Sequence, residues 1–336
     1  MRILAGDIGG TNARLVYVQD DCLPLIRHEK NYASADYASL IEVIENFLEF
    51  YGIQKPLDSA CLAVAGPVIS GCASLTNLPW RIAEKELAVL LQTEHAYLIN
   101  DLVAVGYAVP YLSDDALLVV QQGENGARQE SIGEAVIVGV GTGLGAAHLL
   151  SDSGRYKVFS SEAGHVAFSP ANEIQVKLLN WLHQQHTHVS VEMLLSGRGI
   201  YTLYQFFRDA IGLSESSAVK AELQGADPAQ IISEHAVVAD DPLCEQTLNC
   251  FIDIYAAVIG DVTLHYYPVN AVYLAGGIAP KIQSLLLSKS REFTQCFTNK
   301  GPMHDNLQRL PVRLIVDDTS GLDGAIAYAY QHYSSA

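Results

Sequence analysis

Apolar residues fall into short runs interrupted by glycine-rich turns. Ile3 to Ala5 and Ala13 to Val18 flank Gly6-Asp7-Ile8-Gly9-Gly10-Thr11-Asn12, a spacing that predicts a β-hairpin closed by a tight turn. Downstream, the pattern predicts a helix over Tyr37 to Tyr51, a buried strand over Ser59 to Ala65, a helix near Arg81 to Leu91 and a strand over Ala96 to Ile99. The strand-turn-strand device then recurs: Ala135 to Val140 runs into Gly141-Thr142-Gly143-Leu144-Gly145 and leaves through Ala146 to Leu150. Pro242 to Tyr267 reads as a long apolar helix, and Ala271 to Leu274 as a strand entering Ala275-Gly276-Gly277-Ile278 and a further helix. Val312 to Val316 predicts a last strand and Gly321 to Tyr333 a closing helix. Alternation of this kind predicts α/β layers.

With 336 residues the chain exceeds the usual size of one hydrophobic core, so two domains are expected, although no linker is visible in the composition. Charged residues make up only 17% of the chain, which excludes a disordered architecture. The formal charge of −17 repels the phosphate backbone of nucleic acids and anionic lipid surfaces. Met1-Arg2-Ile3-Leu4-Ala5-Gly6-Asp7 places charges where a secretory signal needs an apolar core, and no segment offers 18 uninterrupted apolar residues. The expectation is a cytoplasmic protein with neither a membrane nor a nucleic-acid partner. Cys22, Cys61, Cys72, Cys244, Cys250 and Cys296 are scattered and form no CxxC pair, so they read as reduced thiols, and no zinc site is expected.

Glycines beside a Thr or Asn hydroxyl suit a phosphate-binding turn, because backbone N–H groups can point inward with no side chain in the way. Gly6 to Asn12 and Gly141 to Gly145 both qualify, and neither fits the GxxxxGK[ST] or GxGxxG patterns. One such loop alone is equally a plain hairpin turn; two, with Gly276-Gly277, favour a nucleotide. Asn100-Asp101 sits between a strand and the apolar run Leu102-Val103-Ala104-Val105, a place where an N-cap is the simplest role. Glu162-Ala163-Gly164-His165 and His188-Val189-Ser190-Val191-Glu192 add carboxylates and imidazoles in loop-like segments. Carboxylates, an amide and a histidine can pair sugar hydroxyls as both donors and acceptors.

These glycine turns resemble those of the actin, Hsp70 and hexokinase superfamily. More specifically, Gly6 to Leu15, Ile99-Asn100-Asp101, Gly141-Thr142-Gly143-Leu144-Gly145, Glu162 to His165 and Leu194-Leu195-Ser196-Gly197, in this order, resemble the bacterial glucokinases of the non-ROK group. The resemblance implies a two-domain α/β fold of the ribonuclease H-like, actin/hexokinase type with an interdomain active-site cleft. A smaller domain would hold residues 1–110 and 318–336, a larger one 111–317. It implies ATP-dependent phosphorylation of D-glucose, with Asp101 as catalytic base and Asn100, Asp101, Glu162, His165 and Glu192 binding the sugar. Gly6, Asp7, Ile8, Gly9, Gly10, Thr11, Asn12, Gly141, Thr142, Gly143, Gly276 and Gly277 would hold ATP, and Asp7 would organise Mg2+ through water. It also implies a homodimer.

Two positions depart from the family pattern: Ala163 where glycine is usual, and Arg198 where proline is common. Kinases for mannose, fructose or N-acetylmannosamine, and a sugar-binding ROK-type regulator, are the competing readings. The regulator requires an N-terminal DNA-binding segment that a chain opening on its first strand does not accommodate.

Overall fold

The computed structural model describes residues 1–20, 26–75, 80–124, 133–152 and 154–334. They divide into two compact units. The first comprises Met1–Asp114, Ser151–Ser160 and Asp317–Ala336, the second Asp115–Leu150 and Ser161–Val316.

The first unit is built on a five-stranded sheet in the order Ile26–Ala33, Asn12–Gln19, Arg2–Ile8, Ser59–Val64, Ala96–Asn100. The opening hairpin pairs antiparallel from Arg2↔Gln19 to Ile8↔Ala13, while Ser59–Val64 and Ala96–Asn100 continue the sheet in parallel. Successive side chains of a strand point to opposite faces. Leu4 and Ile8 accordingly join one core with Leu15, Leu62, Val43 and Phe47, whereas Ile3 and Ala5 join another with Ala104, Leu322 and Ala325. The helix Leu40–Tyr51 buries Leu40, Val43, Ile44, Phe47 and Leu48, the spacing of one helical face. It starts at Leu40 because Ser39 caps it, accepting the Glu42 N–H, and it stops at Gly52 in the left-handed region.

The reading of Arg81 to Leu91 as one helix needs correction. Arg81–Ala83 pairs with Cys72–Ser74 in a small antiparallel sheet, and the helix covers Glu84–Leu91 only. The switch falls where Glu84 N–H bonds the carbonyl of Gly71 and two glutamates enter the first turn. Ser151–Ser160 belongs to the first unit through Tyr156, whose N–H and carbonyl both bond the Gln331 side chain, and through Val158, which packs on Gly106.

The second unit repeats the scheme. Its sheet runs Leu144–Asp152, Ala135–Val140, Ala271–Ala275, Val312–Ile315, Leu117–Gln121. The hairpin Ala135–Val140/Leu144–Asp152 is antiparallel, and Ala271–Ala275 and Val312–Ile315 add in parallel. The helix Pro242–Tyr266 is long and apolar enough to cross a membrane by composition alone, but 72% of its most apolar window is buried in the unit. It packs against the helices Gly197–Asp209, Pro228–Val238 and Ser290–Thr298 as the centre of a core. Cys61, Cys244 and Cys250 are buried free thiols, Cys72 and Cys296 are half-buried, and Cys22 lies outside the described residues.

Candidate active site

In the first unit the glycine motif divides into two parts. Gly6, Asp7 and Ile8 are strand residues, so the turn itself is only Gly9-Gly10-Thr11, closed by Gly9 N–H donating to the Asn12 carbonyl at 2.8 Å. Ile8 is buried in the core, and a Cβ on Gly6 would stand 2.8 Å from both Leu15 Cδ2 and Leu62 Cδ2. At both positions the side-chain direction is filled by core packing. Ser34 braces the turn: its N–H reaches Thr11 O at 2.9 Å and its hydroxyl donates to Gly9 O at 3.3 Å.

Asp7 is directly opposite Arg14 across the hairpin, and Gly321 of the closing helix Ser320–Tyr333 lies against its carboxylate. Burial and then the charge of Asp101 push the Asp7 carboxyl up to about 6, with Arg14 pulling the other way. Asp101 is raised too, by burial, against the hydrogen bonds of Leu102 and Asn100. Two half-buried carboxylates thus share one corner of the unit.

Asn100 performs the N-cap role. Its Oδ1 accepts the N–H groups of Leu102 at 3.0 Å and Val103 at 3.3 Å, and its Nδ2 donates to Gly66 O at 3.3 Å. Asp101 Oδ1 accepts Leu102 N–H at 2.9 Å, so this carboxylate is held at the first residue of the helix Asp101–Ala108. A cap leaves one Nδ2 hydrogen of Asn100 for a ligand, so the two roles are compatible.

In the second unit the turn is Gly141-Thr142-Gly143, closed by Gly141 N–H on Gly143 O at 2.9 Å. Gly276 adopts φ of 86° with its α-carbon pressed against the Val140 backbone, which brings Gly277 beside Gly141. Only glycine suits that combination of conformation and approach. Glu192 Oε2 accepts Leu144 N–H at 3.0 Å and faces the α-carbons of Gly143 and Gly164. His165 Nε2 lies 3.8 Å from Glu162 Oε2, both side chains being exposed. The second unit therefore gathers the glycine turn, Gly276-Gly277, Glu192 and the Glu162–His165 turn.

Sequence reasoning assigned no role to Ser196, Gly197 or Gly199. Ser196 caps the helix Gly197–Asp209 through Gly199 N–H at 3.1 Å, and Gly197 N–H bonds Gly141 O at 3.0 Å, anchoring the turn. A serine followed by G-x-G before an amphipathic helix was the available signal.

Two units, each with an antiparallel hairpin that carries a glycine turn and is extended by parallel strands, define a phosphotransferase of the actin/hexokinase-like fold. The family model for glucokinase matches residues 4–332. The glucokinase of Trichormus variabilis is 38% identical over 339 residues, covering 96% of this chain and 97% of the relative. Among solved structures, glucokinase from an Antarctic psychrotroph superposes with a TM-score of 0.83 at 33% identity, covering 98% of both chains. A ROK family glucokinase from Streptomyces griseus, in complex with glucose and AMPPNP, shares the fold with a TM-score of 0.63 at 19% identity, covering 98% of this chain and 100% of its own. The chain belongs to the glucokinase family, and its activity is the ATP-dependent phosphorylation of glucose.

Proposed function

We propose that Asp101 is the base of this reaction and that Asn100, Glu162, His165 and Glu192 hold the sugar. Asp101 takes the proton of the glucose 6-hydroxyl as that oxygen bonds to the γ-phosphorus of ATP and the bond to ADP breaks. Positioning and charge stabilisation carry most of such a transfer. The observation that carries the reading is the placement of Asp101 at a capped helix start, its carboxylate fixed by Leu102 N–H and raised by burial. A raised carboxylate is a better proton acceptor than an ordinary one.

The N–H groups of Gly9 to Thr11 and Gly141 to Gly143 are proposed to hold the phosphates, with Gly276-Gly277 beside the adenosine. The charge of Asp101 adds to burial in raising the cost of ionising Asp7, a hard oxygen donor that would hold Mg2+ through water. When bound, the ion would neutralise phosphate charge. Among the described residues no three His, Cys, Asp or Glu are gathered as a metal cage. The family resemblance supports a cytoplasmic homodimer, which sedimentation of the purified chain would test.

The reading is tested by a coupled assay of ADP release from MgATP with glucose, mannose, fructose and N-acetylmannosamine, beside Asp101→Ala. Glucose-dependent turnover lost in the variant is expected. Full turnover in Asp101→Ala would remove Asp101 from the base role, and a preference for another hexose would reassign the sugar residues.

A further inference from the structure

We propose that His188 is a positioning residue of the sugar site, holding the Glu162–His165 turn in register with Glu192. The inference rests on the assignment of Glu162, His165 and Glu192 to the sugar. Two segments separated by a helix meet here as a short antiparallel ladder. Phe168 N–H bonds Val189 O at 2.8 Å, Val191 N–H bonds Val166 O at 3.0 Å, and Ala167 bridges Ser190. Phe168, Val189 and Val191 are buried, so the ladder is anchored in the core at these rungs.

Toward His165 the ladder has no further backbone rung, and His165 itself is exposed. The His188 imidazole supplies the next one, its Nε2–H donating to the His165 carbonyl at 3.0 Å. That carbonyl ends the single 3-10 turn Ala163–His165, where no intrahelical donor remains for it. The bond joins the two segments at the residue whose ring is assigned to the sugar, four residues before Glu192 on the other segment.

The experiment compares His188→Ala, His188→Gln and His165→Ala in the full chain, reading kcat, KM for glucose, KM for ATP and thermal stability. Loss of one hydrogen bond at the turn predicts that His188→Ala raises KM for glucose about threefold to tenfold, with KM for ATP and Tm unchanged. Gln places an N–H at the same reach as Nε2, so His188→Gln is expected to return KM for glucose to within about twofold of the parent. An unchanged KM for glucose in His188→Ala, alongside a raised one in His165→Ala, would overturn the role of His188 alone. A lowered Tm with both KM values raised would overturn it as well, by making the bond a general fold contact. If His165→Ala leaves KM for glucose unchanged, the sugar-site assignment fails and the inference falls with it.

Discussion

Gly324 of the closing helix lies so close to the carbonyl oxygen of Ala104 that a Cβ at position 324 would overlap it. Ala104 belongs to the helix Asp101–Ala108, so this crossing fixes the seat of the helix that begins with the proposed base. Backbone cannot give way as the end of a flexible side chain can. Gly324→Ala is therefore expected to destabilise the fold by about 1–3 kcal/mol, as overpacking does, and to lower kcat through displacement of Asp101. Denaturant titration and the coupled assay check the pair of effects; a variant of parental stability and activity would show that the crossing is slack.

Asp101→Asn preserves size and keeps an oxygen for Leu102 N–H while removing the proton acceptor. A fall in kcat of about 10²–10⁴-fold is expected, the range of general base catalysis, with glucose affinity by calorimetry changed little. A kcat within about threefold of the parent would show that Asp101 does not act as base.

Asp7 gives a stability prediction of unusual sign. Its carboxyl is raised in the fold to about 6, above the value of 3.8 it has outside it, so the folded state binds more protons between those limits. Stability contributed by this group is complete below the lower limit and declines as pH rises through the upper one. Asp7→Asn removes the buried charge and is expected to stabilise the fold near neutral pH by about 1 kcal/mol, a value discounted for partial exposure. The gain shrinks as pH falls toward about 4, and activity is lost throughout. Urea melts across this range decide the matter; destabilisation at neutral pH would show that the pairing with Arg14 outweighs burial.

The elements with strict periodicity were legible. Leu4 and Ile8 against Ile3 and Ala5 give the first hairpin's two faces, and the repeated glycine turns give the hairpin that each unit contains. Ile26–Ala33 was not legible, because the consecutive polar residues Arg27, His28, Glu29 and Lys30 break any alternation of apolar and polar positions. It is a strand because those charges find tertiary partners: Glu29 takes Arg14 at 2.6 Å, Arg27 takes Asp323 at 3.2 Å, and Lys30 rests 3.8 Å from the Phe50 ring centroid. In the site, Asn100-Asp101 was visible as a local pattern at a strand end. The bond of Glu192 to Leu144 and the contact of Gly324 with Ala104 join residues far apart in sequence, where no local spacing signals them.

A single methyl group can separate the two halves of the second unit's site. A Cβ at Gly143 would collide with Glu192 Oε2, the oxygen that accepts Leu144 N–H at 3.0 Å. In Gly143→Ala the carboxylate must swing away and release that bond, so the variant disturbs the phosphate turn and a proposed sugar ligand together. Gly276→Ala strains a different contact: its Cβ meets the Val140 backbone, and φ of 86° disfavours any side chain. About tenfold rises in KM for both glucose and ATP are expected for Gly143→Ala, and for ATP alone in Gly276→Ala. Steady-state kinetics with each substrate varied in turn distinguish them. A Gly143→Ala enzyme with unchanged KM for glucose would remove Glu192 from the sugar site, since the substitution cannot be accommodated without moving that side chain.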